Sequence, residues 1–419
     1  MVRLVVSTAR RAGLDPVVVV VPPEAEGIRQ AVDHDVTFAV QERPLGSGDA
    51  LARARSAAGR AETVVVLSGD VPLVRSETIQ AMVESHGETG ACVTLLSAVV
   101  DDPGALGRVL RDDRGRVTAV AEVDGAPPEV LAVREINGGV YAFHGPWLWD
   151  NVGRLAPSPS GEVYLTDLVA LAVSQGRPVE ALQVEDPEEL LGVNDRVHLA
   201  RAEGILRRRI RQRWLLAGVT MPDPATVYID PSARLGRDTV IMPNTHILGD
   251  TRIGDRCEIG PNAIVRDSRI GDDCRIVSSV VEGSRLEEAV DVGPFSHIRP
   301  GSLLQRGVHV GNFAEVKKSR LGPNTKMGHF SYVGDADVGE NVNIGAGTVT
   351  CNFDGVRKHR TRIGDGAFIG SDSMLVAPVT IGEGASTGAG SVVIQDVPPG
   401  AVVVGVPARL LRPRREEEP

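Results

Sequence analysis

The stretch RIGDRCEIGPNAIVRDSRIGDD (252–273) places aliphatic residues at Ile253, Ile259 and Val265, then at Ile270. The same beat of six runs back through Ile247, Ile241 and Leu235 to Ile229. It continues through Ile276, then Val292, Ile298, Leu304, Val310 and Val316, then Leu321, Met327 and Val333, then Val338 and Ile344. A last run reads Ile363, Ile369, Leu375, Ile381, Thr387 and Val393. A period of six matches neither the 3.6 of a helix nor the 2 of a simple strand. It fits a parallel β-helix, in which each hexad is a short strand and a corner and three hexads close one coil. Gly follows many beats, as at Gly236, Gly254, Gly260, Gly345, Gly364, Gly370 and Gly382, and suits corners that need positive φ or close backbone approach. At a strand spacing of about 4.8 Å, roughly nine coils make a prism about 40 Å tall.

The 419 residues are enough for two or three domains. Aromatics are only 3% and glycines number 47, as expected where aliphatic stacks and tight corners make up much of the mass. A net charge of −10 argues against nucleic-acid binding. The four cysteines (Cys92, Cys257, Cys274 and Cys351) form no CxxC pair, which favours a reducing cytoplasm. No long apolar run suggests a membrane span or a signal peptide.

Residues 1–190 alternate helix and strand patterns. An amphipathic helix is expected over 2–12, ending at Gly13, and buried strands over 16–22, 36–40 and 62–67. A doubly wound, mostly parallel sheet follows from that alternation. QERPLGSGDA (41–50) leaves a strand and enters a helix, where backbone amides can hold a nucleotide or serve an ordinary turn. SGDVPL (68–73) puts Asp70 at the carboxyl edge of the sheet, where a hard cation would find a carboxylate. The Arg-rich segment 194–218 reads as a linker helix.

The interruptions of the beat carry the polar chemistry. After Thr350 comes CNFDGVRKHRTR (351–362), a polar excursion from a rigid prism. Before it lie Arg299, Glu315, Lys317, Lys318, His329, Tyr332 and Asn343. Arg299 and Lys317 are 18 apart, so stacking turns both cations to one face, where they could clamp a phosphate. His329 is a candidate general base. Glu315 lies 14 residues before it, a spacing that leaves their relation to the local corners.

These motifs together, with REINGG (134–139), GEVYLTDL (161–168), GVNDR (192–196), GPFSHIRPG (293–301), GNFAEVKKSRLG (311–322) and GHFSYVGDADVGENVNIGAGTVTCNFDG (328–355), resemble the bacterial bifunctional N-acetylglucosamine-1-phosphate uridylyltransferase / glucosamine-1-phosphate N-acetyltransferase family over nearly the whole chain. The resemblance implies an α/β, Rossmann-like nucleotidyltransferase domain over 1–196 and a linker helix over 197–217. A left-handed parallel β-helix acetyltransferase domain would follow over 218–412, with a disordered tail over 413–419. It implies a cytoplasmic homotrimer using acetyl-CoA, glucosamine 1-phosphate, UTP and N-acetylglucosamine 1-phosphate, with Mg²⁺ for uridylyl transfer. His329 would be the base and Glu315 its orienting partner. Arg299, Lys317, Tyr332 and Asn343 would hold the sugar phosphate, and Ala346, Asn352, Phe353, Lys358, Ser371 and Ala389 the coenzyme. Gln41, Gly46, Ser47, Gly107, Glu122, Asn137 and Asn194 would contact the nucleotide or sugar nucleotide, with Asp70 and Asn194 as metal ligands.

Three departures from the family stand out. Phe353 replaces a frequent Tyr, and Gly405-Val406 falls where the family has a coenzyme-contacting Arg. The family's opening strand, its LAAGxGTRM-type loop and the following Lys have no counterpart before the helix at 2–12. Either the start lies elsewhere or this half lacks its main triphosphate clamp. Two other readings fit parts of the pattern: a single-function sugar-nucleotide pyrophosphorylase with an assembly β-helix, and a non-catalytic trimeric scaffold. A β-helix zinc enzyme would need three converging histidines. The spacing of His297, His329 and His359 gives no reason for convergence.

Overall fold

A computed structural model describes residues 1–32, 36–158 and 161–412. The segment 413–419, expected as a disordered tail, lies outside the described residues. Contacts divide the chain into Met1–Leu206 and Arg207–Pro419, with the boundary inside the 21-residue helix Arg196–Leu216.

In the first unit the helix Val2–Arg11 and the strands Val18–Val21, Thr37–Val40 and Thr63–Leu67 fall where the apolar pattern places them. Their pairing departs from a mostly parallel sheet. Val18–Val21 and Thr37–Val40 form a two-stranded parallel ribbon of their own. Thr63–Leu67 instead joins a six-stranded mixed sheet, running antiparallel to the ten-residue strand Glu135–His144. Glu135–His144 is also antiparallel to Val93–Val99, which pairs in parallel with Val179–Gln183. The hairpin Arg108–Arg111 and Val117–Ala121 extends one edge. A buried strand looks the same in sequence whichever way its neighbours run, so apolar runs locate strands without giving their direction. The sheet is cemented by Leu95, Phe143, Leu148, Leu168 and Tyr141, all at most 2% exposed.

The second unit is a left-handed parallel β-helix. Two-residue to four-residue strands stack into three sheets of nine, eleven and ten strands. The first face runs from Arg234–Leu235 to Val379–Ile381, and the second from Val240–Ile241 through Val402–Val404 to a final strand, Arg409–Arg412. The third runs from Tyr228–Ile229 to Val392–Val393. Ten rungs at about 4.8 Å make a stack of about 45 Å, slightly taller than the beats alone suggest. Register is strict: Ile253 sits beside Ile270, and Ile270 beside Leu286. The beat residues Ile241, Ile259, Ile276, Val292, Ile298, Val310 and Met327 are completely buried inside the tube.

Most of the corner glycines have one role rather than two. At Gly271 an added Cβ would sit 2.8 Å from the Glu287 carbonyl carbon, and at Gly345 it would sit 2.6 Å from the Ser371 nitrogen. These glycines allow rung-to-rung approach without positive φ; of those that follow a beat, Gly260 does both, at φ +98° and with a Cβ there driven into Thr245 Oγ1. Positive φ falls two residues later, on Asp238, Arg256 and Asp273, and at other corners on Asn244, Asn262 and Asn324. Asn and Asp tolerate that conformation better than other side chains with a Cβ.

Candidate functional site

The third face bears the charged residues. His297 lies beside Glu315 and Ile298 beside Val316, so Arg299 follows in line with Lys317; Glu315 in turn lies beside Tyr332. Arg299 Nη1 donates to Glu315 Oε1 at 2.7 Å, and this bond holds the guanidinium above its ordinary pKa. Lys317 has the opposite balance. Its side chain meets that of Lys358, and this contact, with partial desolvation and the nearby Arg299, pushes its ammonium below its ordinary value against the pull of Asp335. Two facing ammonium groups with a guanidinium beside them form a place for an anion. Beside them the Tyr332 ring lies along the strand over Gly334, where a Cβ would come within 2.8 Å of Tyr332 Cε1.

The corner between the second and third faces carries His329. Lys326 pairs with Asn343, Ile344 with Ile369 and Ile369 with Thr387, so two residues beyond each beat a column rises along the axis. It reads His329, Ala346, Ser371, Ala389. Asp372 N–H donates to the Ala346 carbonyl at 2.6 Å and Gly390 N–H to the Ser371 carbonyl at 2.8 Å, locking the column rung by rung. His329 and Phe330 are exposed, and Phe295 and Phe313, each 61% exposed, stack below Phe330 with Phe295 and Phe313 centroids 5.4 Å apart. The corner therefore changes at His329 from an aromatic ridge to a trough of small residues.

The excursion occupies 352–360, between strands Val349–Cys351 and Thr361–Ile363. Phe353 bridges to Lys358. Asp354 closes the loop by accepting from the N–H groups of Val356 (2.8 Å) and Arg357 (2.7 Å) and pairing with His359 Nε2 at 2.6 Å. The Arg357, His359 and Val356 bonds hold its carboxyl down to about 2. Asn352, 7% exposed, donates to Asp335 Oδ2 at 2.6 Å and to Tyr332 Oη at 3.5 Å.

These positions regroup the expected site. Arg299, Glu315, Lys317 and Tyr332 share the third face. Asn343 does not: it lies on the second face between Lys326 and Phe368. Glu315 is tied to Arg299, and no hydrogen bond joins it to His329 among the described residues; the strand turns Glu315 to mid-face while His329 stands at the corner. The coenzyme set is divided as well, with Ala346, Ser371 and Ala389 on the His329 corner and Asn352, Phe353 and Lys358 on the opposite corner of the third face. His297 pairs with Glu282 and His359 with Asp354, and no metal-holding group of three His, Cys, Asp or Glu occurs among the described residues. Asp335 was not singled out by the sequence, because it meets Asn352 only through rung stacking.

In the first unit the QERPLGSGDA turn packs on residues 163–165. Gln41 Nε2 donates to the Gly46 carbonyl (3.1 Å) and to Asp49 (2.9 Å). Gly46 has φ +105°, and a Cβ there would lie 2.7 Å from the Val163 nitrogen. Ser47 Oγ accepts from Leu165 N–H at 3.0 Å. Gly107 borders Asn137, whose N–H donates to the Gly107 carbonyl at 2.8 Å. Glu122 accepts from the buried Thr166 hydroxyl at 3.0 Å. Asn137 also hydrogen-bonds the fully buried Tyr141 hydroxyl, whose burial raises its pKa. Asp70 and Asn194 converge: a Cβ on Gly192 would lie 3.9 Å from Asp70 Oδ2 and 4.0 Å from Asn194 Nδ2, and Val193 N–H donates to the Asp70 carbonyl at 2.9 Å. A carboxylate and an amide oxygen fit a small hard cation that takes its other ligands from phosphate and water.

No helix among the described residues is long and apolar enough to cross a membrane. Residues 1–189 match the nucleotidyl transferase family, and residues 232–267 and 360–395 match the bacterial transferase hexapeptide (six repeats) family. The bifunctional protein GlmU of Pelobacter propionicus is 46% identical over 401 residues, covering 94% of this chain and 87% of that protein. That of Heliobacterium modesticaldum is 46% identical over 394 residues, covering 94% and 86%. That of Corynebacterium diphtheriae is 42% identical over 386 residues, covering 92% and 80%. With a nucleotidyl transferase unit, a hexapeptide β-helix and this likeness along nearly its whole length, the chain belongs to the GlmU family of bifunctional transferases, which acetylate glucosamine 1-phosphate and uridylylate N-acetylglucosamine 1-phosphate.

Proposed function

We propose that the β-helix transfers acetyl from acetyl-CoA to the 2-amino group of glucosamine 1-phosphate, with His329 as general base. The observation that carries this reading is the position of His329, between a cation-bearing face and a column of small residues. Roughly 16 Å of strand separates His329 from the Arg299–Lys317 edge. The long cationic side chains shorten that gap to the scale of a hexose phosphate. The phosphate sits with Arg299, Lys317 and Lys358, the sugar lies along Tyr332, and the amine points to His329. The thioester arm lies in the trough of Ala346, Ser371 and Ala389. As the amine nitrogen bonds to the thioester carbonyl carbon, its proton passes to the imidazole, and the C–S bond breaks to release CoA thiolate. The imidazolium then returns the proton to that sulfur.

Asn343 and the loop residue Phe353 reach such a site from a neighbouring copy, while Asn352 braces the loop within its own chain. The exposed ridge Phe295, Phe313 and Phe330 supports that assembly, a homotrimer, since exposed stacked aromatics mark association surfaces. Lys358 joins the phosphate group of residues rather than the coenzyme set, on the strength of its contact with Lys317. Residues 1–196 form the uridylyltransferase half, 197–217 the linking helix and 218–412 the acetyltransferase. In the first half Gln41, Gly46 and Ser47 shape the uridine pocket, and Gly107, Glu122 and Asn137 the sugar pocket. Asp70 and Asn194 would hold Mg²⁺, which neutralises triphosphate charge. The enzyme works in the cytoplasm, where its four free cysteines stay reduced.

The test is a pair of assays on the 419-residue chain. Thiol release from acetyl-CoA and glucosamine 1-phosphate, lost in His329→Ala, supports the acetyltransferase reading; no thiol from a folded assembly refutes it. Pyrophosphate release from UTP and N-acetylglucosamine 1-phosphate tests the first half in the same way.

A further inference from the structure

The corner between the third and first faces repeats one turn on most of its rungs. Arg266 lies beside Glu282 and Lys317 beside Gly334, so the residues that follow them, Asp267, Gly283, Lys318 and Asp335, occupy one corner column. These four have positive φ, between 46° and 50°, whereas Pro300, which stacks between Gly283 and Lys318, passes the positive φ to Gly301 at 81°. Asn352 is the next residue in this column, and there the turn gives way to the excursion 352–360.

Two members of this column are aspartates, used differently. Asp267 Oδ1 accepts from the Asp250 backbone N–H at 2.9 Å, an ordinary rung-to-rung bond. Asp335 Oδ2 accepts the Asn352 side-chain amide at 2.6 Å. The backbone of Asp335 adds two ties: its N–H donates to the Lys317 carbonyl at 3.0 Å, and its carbonyl accepts from Thr361 N–H at 3.3 Å. His359 N–H then donates to the Asn352 carbonyl at 2.8 Å. One residue thus grips the exit of the excursion at Asn352, its return at Thr361, and the strand end that carries Lys317.

We infer that Asp335 is the positioning residue of the phosphate end of the acetyltransferase site, fixing the 352–360 loop through Asn352 and Thr361 so that Lys358 stands against Lys317, and placing a carboxylate beside Lys317. This rests on the acetyltransferase reading above. The groups facing Lys317 are Arg299 and Glu315 from its own face, with the carboxylate committed to the guanidinium, Tyr332 and Asp335 from the next rung, Lys318 beside it, and Lys358 from the loop. Glu315 is already spent at 2.7 Å on Arg299, so Asp335 is the acidic neighbour left to oppose the cations. Without it the two lysines would face each other with no carboxylate of their own until the substrate arrives.

The sign of the pH effect follows. Neighbouring cations lower the Lys317 pKa and Asp335 raises it. Removing the Asp335 charge lets Lys317 lose its proton at lower pH, so the alkaline limb of kcat/KM for glucosamine 1-phosphate moves down. Asp335→Asn keeps tolerance of positive φ and an oxygen to accept from Asn352 but lacks the charge; it should move that limb down by about one unit. Asp335→Ala, which also frees the loop, should raise KM for glucosamine 1-phosphate about tenfold while kcat changes little. Adding Lys358→Met to Asp335→Ala should cost much less than Lys358→Met alone, because the two act through one contact. Asp267→Asn is the control and should leave all three readouts unchanged.

An equal loss at every pH with unchanged KM, or full additivity of the double variant, overturns the inference. A readout independent of catalysis separates its failure from failure of the acetyltransferase reading. Amide exchange at His359 should accelerate at least tenfold in Asp335→Ala, and unchanged exchange refutes the positioning role even if the wild-type chain releases no thiol.

Discussion

Both units bury aliphatic side chains completely, as at Leu96 and Ile298, but hold together in opposite ways. In the β-helix each rung touches only the rungs above and below: Ile298 sits between Val281 and Val316, and nothing farther along the axis depends on it directly. In the first unit one strand, Glu135–His144, pairs with three others drawn from residues 63–67, 93–99 and 108–111. A stack of repeats localises damage, whereas a sheet organised on one central strand spreads it. Chemistry that needs side chains held at fixed spacing is well served by the first arrangement. Chemistry that needs a pocket lined from distant parts of the chain needs the second.

The largest effect that sharpens this contrast is local to one corner. His329→Ala should lower acetyl transfer about 10²–10⁴-fold while the melting of the β-helix stays unchanged, because the side chain is exposed. Thiol release and a melting curve on the same sample check both halves of this expectation.

Next come matched cavities. Leu148→Ala in the first unit, where Leu148 is fully buried, should cost about 2–5 kcal/mol and lower the denaturation midpoint seen by Trp147 and Trp149 fluorescence. Ile298→Ala, equally buried, should cost a comparable amount, but with faster amide exchange confined to adjacent rungs. Exchange that accelerates along the whole prism would break the comparison.

A smaller effect separates two glycines of the first unit. Gly46→Ala must place a Cβ against the Val163 backbone at φ +105°, and should cost about 1–3 kcal/mol as well as uridine-nucleotide affinity measured by calorimetry. Gly13→Ala, also at positive φ but with open space around it, should cost less and leave affinity alone.

The smallest effect is a loop event. The Asp354 carboxyl is held down to about 2 by the Arg357, His359 and Val356 bonds. A carboxyl with a folded pKa below its unfolded value stabilises above the unfolded pKa, near 3.9, and loses that stabilisation as pH falls through the folded value. Protease nicking between 353 and 358 should therefore rise between about pH 4 and pH 2 in the wild type. In Asp354→Asn it should be high and flat.

What could be read from sequence follows the same division. The prism was legible because each beat is set by its own hexad, so Ile253 through Val393 needed no knowledge of distant partners. Arg299 with Lys317 was legible for the same reason, a plain step of one coil. Glu315 and His329 were not, since 14 residues cross a corner whose exact turn decides whether the side chains meet. Asn343 and the Asp335–Asn352 contact were missed as site geometry because face and column depend on how many residues each corner consumes, and the excursion stretches the step from Ile344 to Ile369 to 25. In the first unit the strands were legible and their partners were not. The apolar run at residues 63–67 says nothing of the antiparallel neighbour 77 residues on, where Leu67 meets Val140 and Thr63 meets His144.

The strand Arg409–Arg412 folds back antiparallel on Val402–Val404, the last parallel rung of the second face. A stack of parallel rungs is open-ended by nature: its final rung offers the same unpaired amides and carbonyls that welcomed the rung before it, and another chain could continue the pattern as a fibre. A strand running the wrong way presents those groups in a different spacing, with a register shift between Val402 and Val403. On that face the chain therefore carries its own stop signal against polymerisation, written in direction rather than in charge.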